Sequence, residues 1–496
     1  MTDGPATRPD VLFILADDLG AWALGSAGNP EIRTPNLDRL AGRGVRFGNF
    51  FCVSPVCSPA RASILTGRIP SRHGVHDWLS AGNSTVEPAA GGRLIRYLEG
   101  QPGYPELLAR DGYLCGLSGK WHLGDAHHPQ MGFSFWETHA RGGGPYYGAP
   151  MIRDGAVYQE PRYVTDVITD NALRFLEENA GGGRPLYLGV HYTAPHSPWG
   201  REHHPAETYD DYLANCPFRS VPDLPMHPWQ TAGISRPRPD APPERVRQER
   251  RELLSGYFTA VTEMDRNVGR LVDWLESRGR LERTLVFFTG DNGMNLGHHG
   301  VWGKGNGTLP LNMYEESVKV PFIAAGPGLA AGGAVCDELL SHYDFMPTLL
   351  DLLGVEGPGD ARLPGRSFAP LLRGEGDGGR DRLVVFDEYG PTRMLRTERW
   401  KLVRRFPAGP DELYDLAADP GEERNLAGRP EHARTAAELK GELDEWFRTH
   451  ADPEMDGRGL PVTGSGQIEA VGPAGAGRTA FNPSHELLAA KLQNPA

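Results

Sequence analysis

Val11-Leu12-Phe13-Ile14-Leu15-Ala16-Asp17-Asp18-Leu19-Gly20 is the stretch on which the fold reading turns. An apolar run of this length reads as a strand. Two adjacent carboxylates follow it, at the C-terminal end, where open α/β sheets place their ligands. Side by side they repel, and a cation resolves the conflict. The competing reading is a solvated turn with acidic caps.

Working outward, strand-like runs alternate with helical patterns. Thr34-Pro35-Asn36-Leu37-Asp38-Arg39-Leu40 reads as N-cap, proline at N1 and helix, closing near Gly42 or Gly44. Val45–Phe51 is again strand-like, and Leu186–His191, Leu285–Thr289 and Val320–Ala325 read as buried strands. Leu253, Leu254, Tyr257, Phe258, Val261, Met264, Val268, Leu271, Val272 and Leu275 recur at three- and four-residue steps, which predicts a long amphipathic helix. The alternation implies an α/β protein with a mostly parallel sheet covered by helices on both faces. Residues 215–245 are proline-dense and read as a surface excursion, and Gly374–Gly379 reads as a linker. Beyond it, Leu383–Tyr389, Met394–Thr397 and Trp400–Arg404 read as an antiparallel meander, followed by a helix over Glu431–Thr449. The expected division is therefore 1–375, a catalytic domain, and 376–496, a small α+β domain with a tail of little periodicity.

The formal charge of −13 over 496 residues argues against nucleic-acid or membrane-surface binding, since both partners are polyanions. An anionic substrate would need a local cluster of cations. Gly 64 and Pro 43 make up about a fifth of the chain and imply many loops. No stretch approaches the roughly 18 apolar residues of a membrane span, and no signal segment precedes the first strand. Five cysteines at 52, 57, 115, 216 and 336 lack metal-ligand spacing. The expectation is a reducing, cytoplasmic setting.

Cys57-Ser58-Pro59-Ala60-Arg61 reads as a helix start, with Ser58 as N-cap and Pro59 at N1. Cys57 then lies at a helix N-terminus, which favours anions, and Arg61 falls on the first turn. The bland alternative is a buried structural cysteine. Asp291-Asn292-Gly293 follows the apolar run Leu285-Val286-Phe287-Phe288, as a turn or as further oxygen ligands. Asp17, Asp18, Asp291 and Asn292 offer oxygen alone, a set suited to Ca²⁺ or Mg²⁺ rather than Zn²⁺. Gly119-Lys120-Trp121-His122-Leu123-Gly124 follows the strand-like Tyr113–Leu117. Lys120 and His122 point the same way if extended; otherwise they are a surface lysine and a core histidine. Ala194-Pro195-His196-Ser197-Pro198 and Trp302-Gly303-Lys304-Gly305 add His196 and Lys304.

Cys-x-Pro-x-Arg followed by Leu65-Thr66-Gly67-Arg68 resembles the signature of type I sulfatases, in the alkaline phosphatase superfamily, although Ala60 stands where serine is commonest. Gly-Lys-Trp-His-Leu-Gly, Ala-Pro-His-Ser-Pro and Trp-Gly-Lys-Gly resemble further motifs of that family. So do framework pieces around Glu263–Gly269 and Ser341-His342-Tyr343-Asp344, where Asp344 reads as an N-cap and not a ligand. Met394–Lys401 and Leu413–Leu416 resemble the small C-terminal domain of bacterial sulfatases.

The resemblance implies an alkaline-phosphatase-like sheet sandwich and a sulfuric ester hydrolase. Cys57 is oxidised to Cα-formylglycine by a formylglycine-generating or an anaerobic sulfatase-maturating enzyme. One divalent ion, Ca²⁺ with Mg²⁺ as the alternative, is held by Asp17, Asp18, Asp291, Asn292 and the modified Cys57. Arg61, Lys120 and Lys304 gather charge on the sulfuryl oxygens. Lys120, His196 and Lys304 bind the ester, His196 helps the leaving oxygen depart, and His122 works on the formylglycine hydrate. One hydroxyl of that hydrate attacks sulfur, and the resulting sulfo-enzyme is released by elimination. The expected substrate is a saccharide sulfate or another small sulfate ester, with His191, Trp199, His203, His204, Trp229, Tyr146 and Tyr147 as rim candidates or loop anchors. Two alternatives stand beside this reading: a phosphonate monoester or phosphodiester hydrolase using the same formylglycine, and a non-catalytic sulfated-glycan-binding protein.

Overall fold

Strand β1 (Asp10–Ala16) runs near the middle of an eleven-stranded mixed sheet. Its neighbours β7 (Leu186–His191) and β8 (Thr284–Gly290) are both parallel to it. The alternation along β1 explains its uninterrupted apolar run. Val11, Phe13 and Leu15 enter one core, while Leu12, Ile14 and Ala16 enter the other. Each face needs its own apolar set, so no polar residue interrupts the strand.

The computed structural model describes residues 8–87, 93–231, 235–376, 378–387, 391–407, 409–475 and 477–482. Besides β1, β7 and β8, the large sheet contains β2 (Val45–Phe51), β3 (Leu114–Lys120), β4 (Phe133–His139), β5 (Ala149–Arg153) and β6 (Ala156–Glu160). β9 (Asn295–Leu296) and β10 (Trp302–Gly303) form a separate small hairpin. β11 (Lys319–Ala325), β12 (Ala334–Cys336) and β13 (Leu340–Ser341) complete the large sheet. Its order is β12-β2-β11-β8-β1-β7-β3-β4-β5-β6, with β13 also on β2. The central run β8-β1-β7-β3-β4 is entirely parallel. β11, β5 and β6 pair antiparallel towards the edges. All five central strands therefore end on the same side of the molecule.

The expected long helix spans Pro243–Ser277, and Leu254, Tyr257, Phe258, Val261, Met264, Val268, Leu271, Val272 and Leu275 are all buried against the sheet. Its Asp265 caps a neighbour. The carboxylate accepts the N–H groups of Asn36 (3.2 Å) and Leu37 (2.7 Å), at the start of the helix Pro35–Arg43. Thr34 holds the N-cap position but its hydroxyl bonds Asp38, so the cap is supplied across space.

Past residue 381 a four-stranded antiparallel sheet forms from β14 (Arg382–Asp387), β15 (Thr392–Thr397), β16 (Trp400–Arg405) and β17 (Glu412–Asp415). The helix Ala433–His450 packs on it through Leu439, Leu443 and Phe447. Tyr389, at the expected end of the first of these strands, and Asp377 of the expected linker lie outside the described residues. The tail after Pro453, which shows no periodicity, nevertheless returns to the catalytic side. Gln467 bridges to Leu79, and Val462, Val471 and Phe481 form a small core with Val56 and Leu311. Among the described residues, no helix is long and apolar enough to cross a membrane.

Burying so many polar groups gives the fold a pH signature. Burial pushes His76, His139, His204, His298 and His342 down to about 4 and His191 to about 3, and holds His73 and His122 well below the usual range. The unfolded chain protonates these eight as pH falls through about 6.5, and the folded chain does not, so stability is lost below that point. Burial also raises Asp77 and Glu422 to about 7, and Asp17 and Asp265 to about 6, so these four act in the opposite sense. The eight histidines outnumber the four carboxylates, so on balance the unfolded state takes up more protons and stability falls on acidification. Denaturant midpoints measured at pH 7.5, 6 and 5 will decrease in that order; a midpoint that rises on acidification contradicts the balance.

Candidate active site

The candidate residues come from six separate segments. β1 ends into Asp17 and Asp18, and β8 ends into Asp291 and Asn292. Lys120 is the last residue of β3, with His122 two residues on. His196 follows β7, and Lys304 follows β10. Cys57 opens the helix Cys57–Thr66, and Arg61 lies one turn along it. Here the structure differs from the expected cap. Val56 is the N-cap and Cys57 the first helical residue, because the Ser58 hydroxyl instead accepts the Leu79 amide at 3.2 Å.

These side chains interlock. The Asp18 amide donates to Asp291 Oδ1 (3.1 Å), and Asn292 Nδ2 donates to Asp18 Oδ1 (2.8 Å). Arg61 Nε donates to Asp291 Oδ2 (2.9 Å), and Lys120 Nζ to Asp17 Oδ2 (2.6 Å). Lys304 Nζ reaches Asp18 Oδ1 (2.5 Å), Cys57 Sγ (3.0 Å) and Asn292 Oδ1 (3.3 Å). His196 Nε2 stands 3.7 Å from Asp18 Oδ2. Asp18 and His122 both hold left-handed backbone, at φ 63° and 53°, a conformation that costs an L-residue energy and clusters at functional sites.

The donor set fits a hard divalent cation. Ligand atoms of Asp17, Asp18 and Cys57 all lie within 4.8 Å of one another. Asp17 Oδ1 is buried with no hydrogen-bond partner, although an acceptor so placed carries a desolvation cost. Asp291 and Asn292 extend the oxygen set, which matches Ca²⁺ or Mg²⁺ chemistry.

Burial pushes the Asp17 carboxyl up to about 6 against the pull of Lys120. Burial opposes ionisation of Asp291 as well, but Arg61, Lys120 and Lys304 hold it well below the usual range. Lys304 is desolvated too, yet Asp18 and its neighbours keep it well above the ordinary lysine value. The Cys57 thiol moves the other way. Burial raises it to about 11, so at neutral pH it is a protonated and poor nucleophile. His122 is kept neutral by burial first and by Lys120 and Arg61 second. Its Nε2 bonds Leu79 O at 3.1 Å and its Nδ1 has no partner.

A cavity of about 430 Å³ opens onto Cys57, His122, His196 and Lys304. Several residues around it escaped the sequence reading. Gly142 and Gly143 pass so close to the imidazoles that an added Cβ would lie 2.1 Å from His122 Cε1 and 2.9 Å from His196 Cε1. The Gly142-Gly143-Gly144 run was the available signal. Trp78 and Arg141 also line the cavity and carried no motif. Most rim candidates prove to be anchors. Tyr146 OH donates to His196 O (2.8 Å), Trp199 Nε1 donates to Pro195 O (2.8 Å), and His191 Nδ1 meets Lys120 O (3.2 Å). His204 is buried, whereas Tyr147 is exposed and His203 and Trp229 are half-buried. Asp344 closes a capping box with Ser341 and pairs with Arg380, a structural role.

Carboxylates at the ends of parallel strands thus face a buried thiol and fixed cations, on a sheet whose solved relatives are sulfatases of the alkaline-phosphatase-like fold. The chain belongs to the sulfatase family, whose model matches residues 9–355, and it is a sulfuric ester hydrolase. A second model, the N-sulphoglucosamine sulphohydrolase C-terminal region, matches residues 297–449. An N-acetylglucosamine-6-O-sulfatase of Bacteroides thetaiotaomicron is 30% identical, covering 90% of this chain and 88% of its own. A solved structure of a protein in complex with its substrate D-glucosamine-2-N,6-O-disulfate superposes with a TM-score of 0.75 at 27% identity, over 89% of this chain and 98% of that one. A phosphonate monoester hydrolase from Silicibacter pomeroyi shares the fold, with a TM-score of 0.68 at 24% identity, over 90% of this chain and 97% of that one.

Proposed function

We propose that this protein hydrolyses a carbohydrate sulfate monoester to alcohol and inorganic sulfate, using formylglycine made from Cys57 and one divalent ion. The observation that carries this reading is the placement of Cys57 Sγ against Lys304 Nζ (3.0 Å) and within 4.8 Å of carboxylate oxygens of Asp17 and Asp18. Asp17, Asp18, Asp291 and Asn292 would hold Ca²⁺, or alternatively Mg²⁺, beside position 57. When present, the aldehyde hydrate supplies a nucleophile with a built-in leaving route, and the cation supplies positive charge that lowers a hydroxyl pKa.

The chain's own residues do the rest. Arg61 and Lys120 fix the carboxylates and present charge towards the sulfuryl oxygens. Lys304, charged at neutral pH, reaches position 57 and binds the ester. His196 sits at the cavity wall, positioned to give a proton to the departing oxygen. His122, neutral and with a free Nδ1, is suited to take a proton from the hydrate. The resemblance to a phosphonate monoester hydrolase fold keeps that chemistry as the second reading.

Maturation by a formylglycine-generating or anaerobic sulfatase-maturating enzyme, and the division at 375/376, belong to the same proposal. So does cytoplasmic residence, supported by five free cysteines. The test is a panel of defined sulfated sugars, 4-nitrophenyl sulfate, and phosphonate and phosphate esters, assayed with and without chelator. Sulfate release from at least one sugar is expected, falling at least about 100-fold in excess EDTA and returning with Ca²⁺. Turnover of phosphonates alone, or an EDTA-insensitive rate, overturns the reading.

A further inference from the structure

Two features of the cavity take no part in the proposed chemistry. Trp78, 39% exposed, stands at the cavity wall. It is nevertheless held firmly. The Trp78 amide donates to Asp77 Oδ1 (2.8 Å), and Asp77 Oδ2 accepts the Gly466 amide (3.1 Å). The Gln467 amide donates to Trp78 O (2.8 Å), and Gln467 O accepts the Ser80 amide (3.0 Å). Gln467 is itself fully buried and bonds the His76 amide and Gly74 O. The backbone of Gly466 runs so close behind the indole that a Cβ there would lie 3.2 Å from Trp78 Cε2. The indole Nε1 donates to Gly464 O (3.4 Å), so the C-terminal tail supports both the backbone and the ring of Trp78 at the cavity wall. A preorganised aromatic plane binds the apolar face of a sugar ring with little loss of side-chain freedom.

The second feature is Arg141. It lines the same cavity, its guanidinium donates only to Val86 O (3.3 Å), and it has no carboxylate within 4.0 Å among the described residues. Arg61, by contrast, is ion-paired with Asp291. Glu87, also at the cavity, has both oxygens engaged by Asn83, through its amide and its side chain at 2.9 Å each. In a chain of net charge −13, a guanidinium in the cavity that acts on Glu87 only at longer range and forms no ion pair is a local anion receptor.

We propose that the substrate is a sugar bearing a second sulfate group, with its ring stacked on Trp78 and that group held by Arg141. This rests on the reading that the scissile sulfate sits at position 57, and it adds the specificity contacts. Cavity size agrees, since small-ligand sites span roughly 300–1,000 Å³ and this one is about 430 Å³.

The experiment measures binding by calorimetry, on Cys57→Ala protein with Ca²⁺, so that no turnover is needed. The probes are glucosamine 6-sulfate and glucosamine 2-N,6-O-disulfate. The disulfated sugar is expected to bind at least about tenfold more tightly. Arg141→Ala removes that ratio, and Arg141→Lys restores part of it. Trp78→Ala weakens both sugars about tenfold and leaves the ratio intact. Equal affinity for the two sugars, a ratio that survives Arg141→Ala, no effect of Trp78→Ala, or no binding at millimolar concentration each overturns the proposal. If the ratio fails while unmodified protein releases sulfate from 4-nitrophenyl sulfate, only the specificity contacts fall. If the ratio holds while no sulfate ester is turned over, the hydrolytic reading falls instead.

Discussion

Cys57→Ala protein is expected to fold normally and to lose sulfate-ester hydrolysis by a factor on the order of 10⁴–10⁶, the scale set by removing a covalent nucleophile elsewhere. The structure separates the two effects. Cys57 is the first residue of its helix, where alanine is well tolerated, and its sulfur has one polar contact, Lys304 Nζ at 3.0 Å. Lys304 keeps Asp18 and Asn292 after the change, so no buried charge is orphaned. The thiol itself is a poor nucleophile, because burial raises it to about 11. The proposed mechanism therefore assigns the nucleophile to the oxidation product of Cys57 and not to the thiol. Peptide mass spectrometry on active protein is expected to show residue 57 without its sulfur and two hydrogens and with one added oxygen. Full activity in Cys57→Ala protein, or an active sample whose residue 57 is entirely thiol, refutes the mechanism.

The parallel core was legible where its strands are apolar on both faces, as β1, β7 and β8 are; β4, which carries Ser134, Glu137 and Thr138, gave no such run and was not read as a strand. Asp17-Asp18 and Asp291-Asn292 fall directly after β1 and β8. What was hidden depends on contacts across long sequence separations. Asp265 caps a helix 228 residues away, and Ser58 serves the Leu79 amide in place of its own helix. The tail gives no periodic signal because Gln467 acts through backbone and amide hydrogen bonds to residues near 78, almost 400 positions earlier. Trp78 and Arg141 belong to the least patterned class. A residue that faces a cavity obeys neither helical nor strand periodicity, and single aromatic or basic residues are common on any surface.

Arg61→Met is expected to lower stability by about 3–5 kcal/mol in chelator, the cost of breaking a buried ion pair while leaving its partner in place. Arg61 is 1% exposed and Asp17 and Asp291 are fully buried. Its Nε bonds Asp291 Oδ2 at 2.9 Å, and its NH1 supports Lys120 O at 3.2 Å. Removing the guanidinium leaves two neighbouring carboxylates with Lys120 and Lys304 alone, and methionine keeps the volume, so the loss is electrostatic. The same variant should lose roughly 10²–10³ in kcat, as expected of one missing charge donor. A bound dication would compensate those carboxylates. Ca²⁺ should therefore raise the denaturant midpoint further in Arg61→Met than in the unmodified protein. Arg61→Lys retains the charge but not the fork, so it should recover part of the stability and little of the activity. Unfolding curves with and without Ca²⁺ decide the matter. An unchanged midpoint in chelator would show that Arg61 does not neutralise the carboxylates; calcium-independent midpoints in both proteins would remove the cation from the acidic cluster.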